Sequence, residues 1–167
     1  MPNECRVSPV KRVSIFCKDL EKSLALYRDI LGMVVIEDKT VSGPFIGKLI
    51  NLPQCTMRIV YLSADPSLDA GLIGLFYITE PKMPVLPPPT QGTVHWGQSS
   101  FVLGTDKGDE IYADLVKAGY TFLTPPTPYP KHNDDAYMKA GIYTEIIFYD
   151  PDGLAVSLLG YKPLPPK

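Results

Sequence analysis

The sequence is short of cysteine, of any excess of one charge and of long apolar runs, and each shortage excludes something. Only three cysteines are present, Cys5, Cys17 and Cys55. They are too few and too scattered for a disulfide framework, and none has a zinc-like partner beside it, so reduced thiols in a cytoplasm are expected. Lys and Arg number 16 against 18 Asp and Glu, for a net charge of −2. A nucleic-acid partner would need a clustered basic face, which this balance argues against. No uninterrupted apolar stretch approaches the roughly 18 residues of a membrane span, so no membrane partner is expected. The first residues, MPNECRVSPVKRV, lack the apolar core of a secretory signal. There is no phosphate-binding glycine loop, no dinucleotide fingerprint and no Ser-His-Asp order.

What is present suits a packed core. Hydrophobic residues make up 45% and charged residues 20% of 167, the size of one ordinary domain. Proline is abundant, at 18, and clustered: Pro87 to Pro89, Pro125 to Pro130, and Pro163, Pro165 and Pro166. Proline fixes φ and donates no hydrogen bond, so these clusters read as connectors and a tail. Between them the pattern alternates. Residues 10–17 have the period of a strand. Asp19 then stands as a helix N-cap, Leu20, Leu24, Tyr27 and Leu31 follow at helical spacing, and Gly32 supplies the stop. Met33 to Glu37 reads as a strand, GKLINL as one or two helical turns, and 57–63 and 72–79 as strands.

The same order then recurs. SSFVLGT is a strand, Asp106 opens a helix that Gly119 ends, Tyr120 to Leu123 is a short strand before a proline-rich loop, and TEIIFY and LAVSLLGY flank an Asp150-Pro151-Asp152-Gly153 turn. Asp19 to Gly32 and Asp106 to Gly119 both span 13 residues. The expected fold is therefore α+β. A first βαβββ module covers 10–80, a proline-rich linker 81–92, a second βαβββ module 93–161 and a tail 162–167, the two modules being pseudo-symmetric.

RVSIFCKDLEKSLALYRDILGMVV and EIIFYDPDGLAVSLLGY resemble the opening strand-helix and the closing strand of the vicinal oxygen chelate superfamily, which includes glyoxalase I, extradiol dioxygenases and bleomycin-resistance proteins. GKLINLPQCTMRIVYL resembles a further segment of several members. The resemblance covers roughly 10–161. It implies curved sheets around a cleft, a homodimer, and, in enzymatic members, a metal held by His, Gln or Glu at inward strand positions. Here those positions fall on Arg12, on Gly74 or Leu75, on Gln98 or Ser99, and on Ser157. Arginine has no lone pair to offer and serine is a poor primary ligand, so no metal or other cofactor is expected.

Strand parity gives the expected cleft lining: Arg12, Ser14 and Phe16; Gln98, Ser100 and Val102; Glu145, Ile147 and Tyr149; Ala155, Ser157 and Leu159. Such a set suits a small-molecule ligand. Arg12 is a candidate anion anchor and Glu145 a candidate acid/base; alternatively the two form a structural ion pair. Cys17 shares the parity of Val13 and Ile15 and reads as a buried apolar residue, while Cys55 has no base nearby. His95 and His132 lack partners at ligand spacing, and His132 sits in a loop, 124–136, that with Tyr129, Tyr137 and Tyr143 around it could cover the cleft. Three functions remain open: a metal-independent isomerase or lyase acting on a hydrophobic oxygenated compound, a drug- or natural-product-binding protein, and a metal-dependent lyase or dioxygenase with relocated ligands such as Gln98, Glu145 and His95.

Overall fold

A computed structural model describes residues 5–88 and 90–164, so Pro89 and the last three residues of the expected tail lie outside the described residues. The chain divides into two compact units, Met1–Leu86 and Pro87–Lys167. In the first, β1 (Arg12–Phe16) leads into α1 (Leu20–Leu24), which continues as a π-helical stretch, Ala25–Ile30; then come β2 (Val34–Gly43), α2 (Pro44–Lys48), β3 (Cys55–Ser63) and β4 (Leu72–Glu80). The second repeats the plan with β5 (Ser100–Gly104), α3 (Gly108–Lys117), β6 (Phe122–Lys131), β7 (Gly141–Tyr149) and β8 (Ala155–Lys162). The sheets have the same strand order, β1-β4-β3-β2 and β5-β8-β7-β6. In each, the first strand runs parallel to the last and the other pairs are antiparallel. This is the expected α+β architecture.

Local chemistry explains the helix ends. Asp19 caps α1 by accepting the Lys22 N–H at 3.2 Å, and the chain leaves both helices through glycines at positive φ, Gly32 at 71° and Gly119 at 82°. The second start differs from expectation. Lys107, not Asp106, is the capping residue of α3, and its N–H is taken by Thr105 Oγ1 at 3.0 Å. The proline cluster differs too. Pro125 to Pro130 is not a loop but part of β6, at the edge of its sheet, with register shifts between Phe122 and Thr124 and between Thr124 and Thr127. An edge strand needs only alternate N–H groups, and irregular pairing relieves the rest, so proline is tolerated there.

Each helix covers one sheet face. Leu24, Leu26 and Tyr27 are fully buried with Val60, Leu62, Ile73 and Leu75 in the first unit. Leu115 is buried with Ile146, Phe148, Val156 and Leu158 in the second. Cys17 is buried as its parity requires; Cys55 begins β3, buried with Met57 and Ile59 beneath Ile46, Ile50 and Leu52. No described helix is long and apolar enough to cross a membrane.

The β7–β8 turn is held by Asp150, whose Oδ1 accepts the N–H groups of Asp152 at 2.9 Å and Leu154 at 2.8 Å. Asp150 is buried, so truncation leaves two donors short of their acceptor. Asp150→Ala should lower unfolding free energy by about 1–3 kcal/mol, whereas Asp150→Asn, which keeps an acceptor oxygen, should cost much less. Urea denaturation of both variants checks this; equal midpoints would remove the turn's role.

Candidate functional site

The face of the first sheet opposite α1 is built by alternation. In β1, Val13 and Ile15 turn toward the helix while Arg12, Ser14 and Phe16 are exposed. Their β4 partners are Leu72, Gly74 and Phe76, and Tyr61 of β3 lies opposite Gly74. A Cβ on Gly74 would come within 2.8 Å of the Phe76 ring and 3.2 Å of the Tyr61 ring, so only glycine lets both rings lie down on the strand. Phe76 contacts Phe16 at a centroid distance of 5.4 Å and meets Tyr61 edge-on at 6.1 Å. Two cations flank the rings. The Arg12 guanidinium carbon is 5.5 Å from the Tyr61 ring centre and 5.6 Å from that of Phe76, and Lys39 Nζ is 5.8 Å from Tyr61. Each contact of this kind favours the cation by about 0.5–1 kcal/mol at an exposed site. Arg12 Nε also donates to Ser14 Oγ at 3.0 Å, and Nη1 reaches Tyr61 Oη at 3.5 Å.

The corresponding face of the second sheet carries different chemistry. Ser157 pairs with Val102 on one side and Ile147 on the other. Its buried hydroxyl donates to Glu145 Oε1 at 2.7 Å. Both charges foreseen for the site thus find partners inside their own unit, Glu145 through Ser157 and Arg12 through Ser14 and two rings. Tyr129 of β6 stacks on Tyr143 at 5.8 Å, and Tyr143 packs on Tyr161 at 5.1 Å. Burial pushes the Tyr129 phenol pKa up, helped by the negative charge of Glu145 and by Tyr143. The hydroxyls of Tyr143 and Tyr161 donate to the carbonyls of Lys139 and Ala140, tying down the segment before β7. Within the expected set, Tyr149 and Ala155 are buried.

The segments around Gln98 and His132 depart from expectation. Gln98 does not lie on β5. It folds back in the turn at Gly97, where its Oε1 accepts the His95 N–H at 3.1 Å and its N–H donates to the His95 carbonyl at 3.0 Å, leaving its buried Nε2 without a partner. Register assigns its place to Ser100. Arg12 is opposite Leu72, two residues before Gly74, and Ser100 is opposite Ala155, two residues before Ser157. The true cap Lys107 stands seven residues after Ser100, as Asp19 does after Arg12. His95 Nε2 lies 3.1 Å from the Thr90 carbonyl. The acids around His132 are engaged: Lys131 pairs with Asp135 at 2.6 Å, Asp135 also accepts Tyr137 and Met138 N–H groups, and Asp134 accepts that of Ala140. The positive charge and the two N–H donors hold the Asp135 carboxyl below the usual carboxylate range. Tyr137 is exposed, whereas Tyr129 and Tyr143 belong to strands. Lys39, Tyr61 and Phe76 were not foreseen; extending the period of two from Ile59 to Tyr61 and from Gly74 to Phe76 is the signal that finds two of them.

A strand–helix–three-strand unit, repeated, with its first and last strands parallel, defines a duplicated βαβββ architecture. The chain belongs to the Glyoxalase/Bleomycin resistance protein/Dioxygenase superfamily, whose model matches residues 10–158. Among solved structures it is similar to a glyoxalase family protein from Bacillus cereus, at 15% identity and a TM-score of 0.69, covering 96% of this chain and 97% of that one. It is similar to the trypanothione-dependent glyoxalase I of Leishmania major, at 18% identity and a TM-score of 0.56, covering 92% and 87%. It is also similar to an antibiotic-binding protein from a Streptomyces species, at 20% identity and a TM-score of 0.55, covering 95% and 100%. At these identities the likeness is one of fold. The chain matches none of the curated proteins compared.

The residues at the positions that the resemblance assigns to metal ligands do not fit a divalent metal. Arg12 is a permanent cation, Gly74 has no side chain, Ser100 and Ser157 are neutral hydroxyls, and Ser157 already donates to Glu145. Among the described residues no three His, Cys, Asp or Glu side chains gather as a metal site. Elemental analysis of purified protein should find no stoichiometric Zn, Ni or Fe, and calorimetric titration with each should show no one-to-one binding. About one ion per chain would overturn this reading of the donor set.

Proposed function

We propose that this chain acts without a metal on a hydrophobic, oxygenated small molecule, and that binding rather than turnover is its primary act. The observation that supports this most is Arg12. At a position that the superfamily resemblance assigns to a metal ligand, the chain carries a guanidinium set against two aromatic rings, an arrangement suited to holding an organic anion. The similar Streptomyces protein is named for antibiotic binding, which agrees with a sequestering role. A cytoplasmic location and a homodimeric assembly belong to the same reading.

A second reading, an isomerase or lyase, draws on the Ser157–Glu145 hydrogen bond. The hydroxyl engages Oε1 at 2.7 Å, which orients the carboxylate and leaves Oε2 as the oxygen that takes a proton from substrate and returns it. Ser100 and Ile147, on the same sheet as Glu145, would then line the bound molecule.

One experiment separates the readings. Thermal melts against a panel of antibiotics and aromatic natural products, with and without EDTA, should show a raised Tm for at least one compound class, unchanged by the chelator. A stabilising compound recovered intact after incubation supports binding. Conversion that Glu145→Gln slows by about 10²–10⁴-fold while the Tm rise persists would establish the second reading. No stabilising compound, or one that acts only with added metal, removes both.

A further inference from the structure

We propose that the open face of the first sheet is a subsite for an extended aromatic carboxylate, Arg12 taking the carboxylate while Phe76 and Phe16 receive the ring system. The proposal rests on the small-molecule reading above and names the ligand class.

The charges on this face are unequal in kind. Lys39 is paired with Glu37 at 2.9 Å. Arg12 has no carboxylate partner among the described residues; it is held by Ser14, Tyr61 and the two ring faces. A guanidinium carries five N–H donors in a planar fork. One of them goes to Ser14 and a second makes only the long 3.5 Å contact with Tyr61. The remaining donors match the two oxygens of a carboxylate, which a planar fork recognises as a pair. Ser14 and the rings fix the plane of the fork beforehand, so little side-chain freedom remains to be lost when an anion arrives.

The rings set the shape of the rest of the ligand. Phe76 lies 5.6 Å from the guanidinium, and Phe16 a further 5.4 Å from Phe76. Cation and rings therefore form a track two steps long rather than a single pocket. Because Gly74 offers no Cβ, Phe76 and Tyr61 lie low on the sheet, and Phe16 is 55% exposed. A fused aromatic system bearing one carboxylate places its anion on Arg12 and its rings along Phe76 and Phe16. A cationic aromatic would meet Arg12 and Lys39 with the wrong sign. A neutral one would gain the ring contacts and leave the fork unused.

The test uses 2-naphthoate and its uncharged isostere 2-naphthamide as probes, titrated calorimetrically into the full chain and into Arg12→Met and Phe16→Ala. Both substituted side chains are exposed, and circular dichroism checks that each variant folds. The wild-type chain is expected to bind naphthoate at least about tenfold tighter than naphthamide. Arg12→Met should weaken naphthoate by about 10- to 100-fold, the range for a hydrogen bond to a charged group, and leave naphthamide unchanged. Phe16→Ala should weaken both probes to the same degree. Equal affinity for acid and amide, indifference of naphthoate to Arg12→Met, indifference of both probes to Phe16→Ala, or no binding of either probe would each overturn the proposal. If neither probe binds but another compound stabilises the chain in thermal melts, the ligand class fails and the small-molecule reading survives. If nothing stabilises it, both fail.

Discussion

The parallel pairing of the first strand of each unit with its last is the interaction on which the rest depends. Parallel neighbours cannot be joined by a tight turn, so a whole unit must be traversed between β1 and β4, and between β5 and β8. The helix that starts the traverse comes back across one face and dries it; on the other face Arg12, Ser14 and Phe16 stay exposed. Pairing also fixes which residues appear there. With Arg12 opposite Leu72, every second residue of β1, Arg12, Ser14 and Phe16, turns away from α1. Slipping β1 by one residue would put Val13 and Ile15 on the open face and Arg12 against the helix.

Register makes the two open faces comparable residue by residue, and they have diverged. Gly74 and Ser157 occupy the same place, flanked by Ser14 and Tyr61 in one unit and by Val102 and Ile147 in the other. Arg12 corresponds to Ser100. One copy has kept aromatics and cations around a residue with no side chain. The other has kept a buried hydroxyl bonded to a carboxylate, beside a row of tyrosines. The same backbone thus presents a guanidinium against aromatic rings once and a hydroxyl bonded to a carboxylate once.

The repeat, the strand order and the parity of β1 were legible because each rests on local rules: a cap, a helical period, a glycine stop, an alternation. Arg12, Ser14 and Phe16 follow from parity alone. The failures came where a local rule had a competitor. Asp106 has the chemistry of a cap, but Thr105 supplies the oxygen and the helix begins one residue later. The equivalent of Arg12 therefore falls on Ser100 rather than on Gln98 or Ser99. Gln98 fits the strand by period, yet its amide closes a turn with His95. The partners of Arg12 and Glu145 were beyond reach for another reason. Ser157 meets Glu145, and Tyr61 meets Arg12, only through strand pairings between residues 12 and 49 positions apart.

The proline-bearing strand β6 has a consequence for the chain's behaviour at high concentration. Pro128 and Pro130, opposite Thr144 and Ile142, are two apart, so both lack their N–H on the same side, the side turned away from β7. Pro125 and Pro126 fall within the irregular stretch between Thr124 and Thr127. An incoming strand would find missing donors and a broken line there, and could not extend the sheet as a template. The first sheet has no such guard at its β2 edge, where Val34–Gly43 contains no proline and only one irregularity, between Val35 and Glu37. Resistance to amyloid-like stacking is therefore unevenly distributed, stronger at the β6 edge of the second sheet than at the matching β2 edge of the first.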